Sequence, residues 1–185
     1  MTDIESWINH ERLEFKNQNL GIINLTSVQA LPNPNKYDFN TELVFENCTI
    51  ESFNATVQLI GKPIIFRNCK IGAIWCHATY FFAGLAMANC IISEASTFDC
   101  GVHNIQPYEF IIDNCIFNGH LNFFDVYFEG PVQITNNEFR KGTSINLYLA
   151  VPYGIKEGIP FKVENNKGQL DKYAENDPFS PENKK

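Results

Sequence analysis

An all-β fold built as a solenoid of stacked parallel strands is the architecture this sequence predicts, on three observations. A short motif centred on asparagine recurs six times. Apolar and polar residues alternate on both sides of each asparagine. Helical periodicity is missing through the same region, while Gly or Pro returns near each coil boundary (Gly61, Pro63, Gly84, Pro107, Gly130, Pro131, Gly158, Pro160).

The copies align by eye. Val44-Phe45-Glu46-Asn47-Cys48-Thr49-Ile50 is matched by Ile65-Phe66-Arg67-Asn68-Cys69-Lys70-Ile71, by Ala86-Met87-Ala88-Asn89-Cys90-Ile91-Ile92 and by Ile111-Ile112-Asp113-Asn114-Cys115-Ile116-Phe117. Looser copies surround Asn136 and Asn165. The asparagines are spaced 21, 21, 25, 22 and 29 residues apart, a period that marks a repeat architecture. Upstream, Leu43/Phe45, Ile64/Phe66, Leu85/Met87, Phe110/Ile112, Val132/Ile134 and Phe161/Val163 keep a period of two, so each segment is a short strand with one face inward. Downstream, Cys48/Ile50, Cys69/Ile71, Cys90/Ile92 and Cys115/Phe117 repeat the alternation. The asparagine therefore stands at a sharp bend between two strands. It tolerates left-handed backbone angles, and stacked coils let its amide bond the one above and below. Such coils stack about 4.8 Å apart, and six to seven of them make a column of roughly 30 Å.

The remaining segments are read in chain order. Residues 2–14 predict a short helix, capped by Thr2 or Asp3, with Ile4, Trp7, Ile8 and Leu13 on one face, that covers the open N-terminal end of the core. Residues 1–20 form this cap. Residues 20–29 are read as a first, poorly matching coil, 30–40 as a loop bearing Pro32 and Pro34, and 41–168 as the clear coils. The long stretch Ser144 to Pro160 in the last coil is a candidate C-terminal cap or binding loop. Residues 1–168 make one domain, and the polar, proline-bearing 169–185 is expected to be a mobile tail.

Composition bounds the function. The chain has 185 residues, 44% of them hydrophobic, enough for a core without metals or disulfides. It carries 22 Asn and 16 Phe, both in excess of ordinary use. Formal charge is −7, and the three Arg (Arg12, Arg67, Arg140) form no basic stripe, so nucleic acid is not an expected partner. No apolar run reaches the ~18 residues of a membrane span. The start, Met1-Thr2-Asp3-Ile4-Glu5, lacks an export-signal pattern, so a cytoplasmic location with six reduced cysteines is the expectation.

The pattern apolar-x-apolar-x-Asn-[Cys/Asn]-x-[Ile/Phe], closest in Gln133-Ile134-Thr135-Asn136-Asn137-Glu138-Phe139, resembles the coil repeat of right-handed parallel β-helices, the pectate-lyase-like fold. The likeness covers about residues 41–168. Phe-centred stretches also look like pentapeptide-repeat solenoids, whose strict five-residue step these coils do not keep. The first resemblance implies polysaccharide lyases and hydrolases with clustered carboxylates; the second implies solenoids that mimic or occupy a target.

Against that background the chemistry is sparse. Asp99, Asp113, Asp125 and Glu129 fall in adjacent coils, but no aspartate pair or Arg/Lys cluster accompanies them, and no catalytic residue is assigned. His77, His103 and His120 lie 9, 14 and 6 residues after their coil asparagines and share no column, so no metal or other cofactor is expected. Cys76 and His77 fall on opposite strand faces, which argues against a Cys/His nucleophile. Two stretches, 75–82 and 120–129, carry aromatics on both faces, so some look outward. Binding candidates are Trp75, His77, Tyr80, Asp99, His103, His120, Phe123, Asp125, Tyr127 and Glu129; Asn47, Asn68, Asn89, Asn114, Asn136 and Asn165 are the structural ladder. Which parity faces out is not fixed by sequence. The leading expectation is a non-catalytic protein-interaction module, of the immunity or target-mimicking kind, that binds a basic partner through an acidic and aromatic face. The alternative is a carbohydrate-binding or carbohydrate-cleaving β-helix.

Overall fold

The chain is an all-β parallel solenoid of about 4 turns. The computed structural model describes residues 5–8, 10–27, 37–149, 153–175 and 180. Three sheets run along the stack. The first holds Arg12–Lys16, Glu42–Glu46, Ile64–Arg67, Leu85–Ala88, Phe110–Asp113, Val132–Thr135 and Phe161–Glu164, each paired in parallel with the next. The second is built on Thr49–Asn54, Lys70–Trp75, Ile91–Ile92, Ile116–Phe117 and Glu138–Phe139, together with Ile22–Asn24, Ser96–Thr97, Leu121–Asn122 and Lys167–Gly168. The third holds Leu59–Ile60, Tyr80–Phe81, Val102–Ile105 and Tyr127–Glu129. The four turns that contribute to the third sheet are complete. Six to seven full coils are therefore too many, although the first sheet does extend over seven strands.

Register places like residues in columns. Phe15, Phe45, Phe66, Met87, Ile112, Ile134 and Val163 follow one another across the first sheet. Phe45 stacks on Phe15 at 5.2 Å and on Phe66 at 5.0 Å between ring centroids, with planes 13° and 12° apart. Among the described residues, eleven Phe side chains are fully buried, each worth about 1.5–3 kcal/mol of hydrophobic stabilisation. Core filling thus explains the phenylalanine excess.

Each ladder asparagine occupies the left-handed region, with φ between 51° and 60°. The side chains are exposed, and their amides bond in part. Asn89 Nδ2 donates to Asn68 Oδ1 at 3.2 Å, and Asn114 Nδ2 to Asn89 Oδ1 at 2.7 Å. The chain of amides then departs from the expected ladder. Asn136 Nδ2 donates to Asp113 Oδ1 at 2.8 Å, a carboxylate oxygen that also accepts from Thr135 Oγ1 at 2.6 Å.

The position after each asparagine points inward and carries one repeated task. Cys48, Cys69 and Cys90 direct their Sγ at the carbonyls of Phe15, Phe45 and Phe66 in the preceding coil, at 3.3, 3.4 and 3.7 Å. Asn137 and Asn166 do the same with Nδ2, to Ile112 and Ile134, at 2.9 and 2.8 Å. The four cysteines and two asparagines are one column of weak and strong donors. All six cysteines are free thiols.

The N-terminus departs from expectation. In place of a helix over 2–14 there is a single 3-10 turn, Glu5–Trp7, followed by the strand Arg12–Lys16. Alternation decides the matter: Leu13 and Phe15 face in, charged residues face out, and Asn17 bends at φ 54°. This is a seventh copy of the repeat. Thr2, Asp3 and Ile4 lie outside the described residues. Covering of the core falls to Trp7, which is buried, stands 4.6 Å from Phe15, and has its carbonyl held by Thr41 Oγ1 at 2.8 Å. Residues 22–24 are the second strand of this first coil, not its start. Within the expected loop 30–40, residues 30–36 lie outside the described residues, and Phe39 is buried and bridges Ile60 in parallel.

Of the stretch 144–160, residues 150–152 lie outside the described residues; on either side the chain is tied to the stack, as Thr143 bridges Leu121 ahead of a four-residue helix, Ile145–Tyr148, and Ile155 bridges Phe128. Of the expected mobile tail, Gln169, Leu170 and Lys172 are tied to 143–146 by backbone bonds of 2.8–2.9 Å. Residues 176–179 and 181–185 lie outside the described residues. Among the described residues no helix is long and apolar enough to cross a membrane.

Candidate functional site

Each complete turn bends twice. After the asparagine bend and the second-sheet strand, the chain turns again at Val57, Ala78, Cys100 and Asp125, with φ of 55°, 49°, 56° and 51°. The backbone N–H of Val57, Ala78 and Cys100 each donates at 2.8 Å to a carbonyl of the following coil, from His77, Asp99 and Phe124. The second bend is therefore a stacked column as regular in its backbone as the first. The residue before each bend, Thr56, His77, Asp99 and Phe124, forms the neighbouring column.

Three candidate ligands meet here. His77 Nδ1 lies 3.2 Å from Asp99 Oδ2, and one donor atom each of His77, Asp99 and Cys100 fall within 4.8 Å of one another. The His77 side chain is 52% exposed and that of Asp99 19%, so His77 meets solvent while Asp99 is largely covered. Asp99 Oδ1 is buried and has no hydrogen-bond partner. Burial pushes the Cys100 thiol above its ordinary range, and the negative charges of Asp99 and Asp125 add to that. An anionic neighbourhood of this kind opposes a free thiolate, so Cys100 is not poised as a nucleophile. Gly101 sets the exit from the bend, because a Cβ there would stand 2.5 Å from the Thr79 carbonyl oxygen.

Two to three residues further on, the third sheet presents the second feature. Phe81, Val102 and Phe128 face the core, and Tyr80, Tyr127 and Glu129 face out. Between Val102 and Ile105 the register shifts, with φ of 80° at Val102 and 41° at His103. This bulge turns His103 outward between two tyrosines, 4.2 Å from the Tyr80 ring and 5.6 Å from the Tyr127 ring. Phe82 extends the row, 5.9 Å from Tyr80, and Tyr37 follows at 5.4 Å from Phe82. At the other end Glu129 closes it: Oε1 is 3.2 Å from His103 Nδ1, and Oε2 is 3.6 Å from Lys156 Nζ.

The sequence candidates thus separate into groups. His77, Asp99 and Asp125 belong to the second bend; Tyr80, His103, Tyr127 and Glu129 form the aromatic row. Trp75 is 44% exposed at the end of its second-sheet strand. His120 lies apart, its Nε2 bonded to the Lys172 carbonyl at 3.0 Å, in a cleft of about 670 Å³ that also holds Lys141, Asp171 and Glu175. Phe123 is a correction: it is fully buried and stacks on Phe98 at 5.9 Å, because the alternation that turns Asn122 out turns Phe123 in. Sequence reasoning missed Cys100, Phe82, Tyr37 and Lys156. A count of 10 or 11 residues from the coil asparagine reaches Val57, Ala78, Cys100 and Asp125, and that offset is the signal that would have found the second bend. No protein-family model, curated protein or solved structure matches this chain.

Proposed function

We propose that this chain is a non-catalytic interaction module that binds a partner protein through the outward face of its third sheet. The observation that carries the reading is the half-buried row Tyr37, Phe82, Tyr80, His103 and Tyr127, each ring within 6 Å of the next along the outer face and closed by Glu129. Rigid aromatic side chains give large contact area at small entropic cost and concentrate at recognition surfaces. A chain of formal charge −7 favours a partner with a basic surface and draws it in faster at low salt. Immunity-type binding and target mimicry are the classes that fit, on an irregular parallel β-helix of the pectate-lyase-like kind in preference to a pentapeptide solenoid. A cytoplasmic location belongs to the same proposal, and six free thiols, five of them buried, support it.

The same row also suits stacking against sugar rings, which makes oligosaccharide binding the second reading. One experiment separates them. Wild type and the Tyr80→Ala/Tyr127→Ala double variant are immobilised and exposed to a source lysate and to an oligosaccharide array. The proposal expects one stoichiometric protein on the wild type, eluted by salt and lost from a double variant whose melting curve is intact. Equal retention by both removes the aromatic row from the account. Oligosaccharide binding that disappears in the variant transfers the site to the sugar reading.

A further inference from the structure

We propose that His77, Asp99 and Cys100 form a binding site for a divalent transition metal, with Zn²⁺ as the ion the ligand set selects. An imidazole, a carboxylate and a thiol are each ordinary zinc ligands, and a thiol is a poor ligand for Ca²⁺ or Mg²⁺. The three donor atoms already lie within 4.8 Å of one another. Around a tetrahedral zinc with bonds of about 2.0–2.3 Å, ligand atoms stand roughly 3.3–3.8 Å apart. The approach required is about 1 Å at most.

Two further observations point the same way. Asp99 Oδ1 is a buried carboxylate oxygen without a hydrogen-bond partner, an arrangement that is costly unless something else satisfies it. The ligands also come from a preorganised frame: Ala78 N–H donates to the Asp99 carbonyl at 2.8 Å, which ties together the two coils that carry the ligands, and Cys100 N–H donates to the Phe124 carbonyl at 2.8 Å, which ties the second of them to the coil that follows. Asp125 follows Cys100 in the same column of the bend, one coil on, and its carboxylate makes the surroundings of a dication more favourable.

On binding, the Cys100 S–H bond breaks, its proton leaves to solvent and a Zn–S bond forms. Neutral His77 gives a ring-nitrogen lone pair and Asp99 a carboxylate oxygen. The two anionic ligands then balance the charge of the ion. With three protein ligands and an exposed His77, the fourth position opens to water.

The test uses the full chain, reduced and stripped with a chelator, titrated with Zn²⁺ against a chromophoric competitor. One equivalent is expected. Cys100→Ser and His77→Ala should each weaken binding by about tenfold or more. Co²⁺ in place of Zn²⁺ should give a thiolate charge-transfer band in the near ultraviolet that Cys100→Ser abolishes. Zn²⁺ should also raise the melting midpoint of wild type and not of either variant. Far-UV spectra establish that the variants fold, and His77→Ala, which alters an exposed side chain, decides the matter if Cys100→Ser does not. Absence of a saturable equivalent, or binding that neither substitution changes, overturns the proposal.

Discussion

The two bends of each coil solve one geometric problem with different chemistry. At both, a non-glycine residue sits in the left-handed region, at φ 51–60° in the first column and 49–56° in the second. At both, the bend amide donates to the next coil, as Asn68 does to Ala88 at 2.9 Å and Ala78 to Asp99 at 2.8 Å. The first column is asparagine throughout, the residue best suited to that conformation. The second is Val, Ala, Cys and Asp, although a β-branched residue such as Val57 is a genuine outlier there. Coil-to-coil backbone bonds are therefore sufficient to hold the bend, and the side chains of the second column are released for other work. Strained backbone gathers where the candidate chemistry gathers.

The largest effect is expected at the inner asparagine of the first bend. Asn137 is buried, donates to Ile112 O at 2.9 Å and accepts from Cys115 N–H at 2.8 Å, so Asn137→Leu removes both bonds and takes the acceptor from a buried backbone N–H. Chemical denaturation should show a loss of about 3 kcal/mol. Next comes the outer ladder. Asn89→Leu removes the amide bonds to Asn68 and Asn114 and puts a γ-branched residue at φ 56°. A loss of about 1–2 kcal/mol is expected from the left-handed cost alone. A neutral result would mean that the backbone fixes this bend without help, as at the second. Val57→Asn converts the second bend to the chemistry of the first, and a stabilisation of about 1 kcal/mol in the same assay is expected. The smallest effect belongs to the rim of the aromatic row. Lys156→Ala, which removes a 3.6 Å pair with Glu129 whose side chains are 54% and 32% exposed, should change stability by less than about 0.5 kcal/mol.

The difference between the bends also explains what the sequence could reveal. The first sheet and its asparagine column were legible because identical residues recur at nearly fixed spacing. The copy at Leu13, Phe15 and Asn17 escaped because Asn17 is followed by Asn47 only after 30 residues, and because Trp7, Ile8 and Leu13 also mimic a helix face. The second bend was illegible: its residue identity changes in every coil, and its conformation comes from hydrogen bonds to neighbouring coils that sequence does not display. The outward parity of the third sheet was illegible for a similar reason, since the bulge at Val102 and His103 resets it. Of the candidate site residues, Tyr80 and Tyr127 face outward, whereas Phe123 follows ordinary alternation into the core.

Amide hydrogen exchange resolved at single residues tests most directly whether the second bend is held as firmly as the first. The account predicts that Ala78 and Cys100 exchange as slowly as Asn68 and Asn89, since all four donate to an adjacent coil at 2.8–3.1 Å. Fast exchange at Ala78 and Cys100 beside slow exchange at Asn68 and Asn89 would contradict it, and would make the second bend a loose loop that cannot hold His77, Asp99 and Cys100 in place.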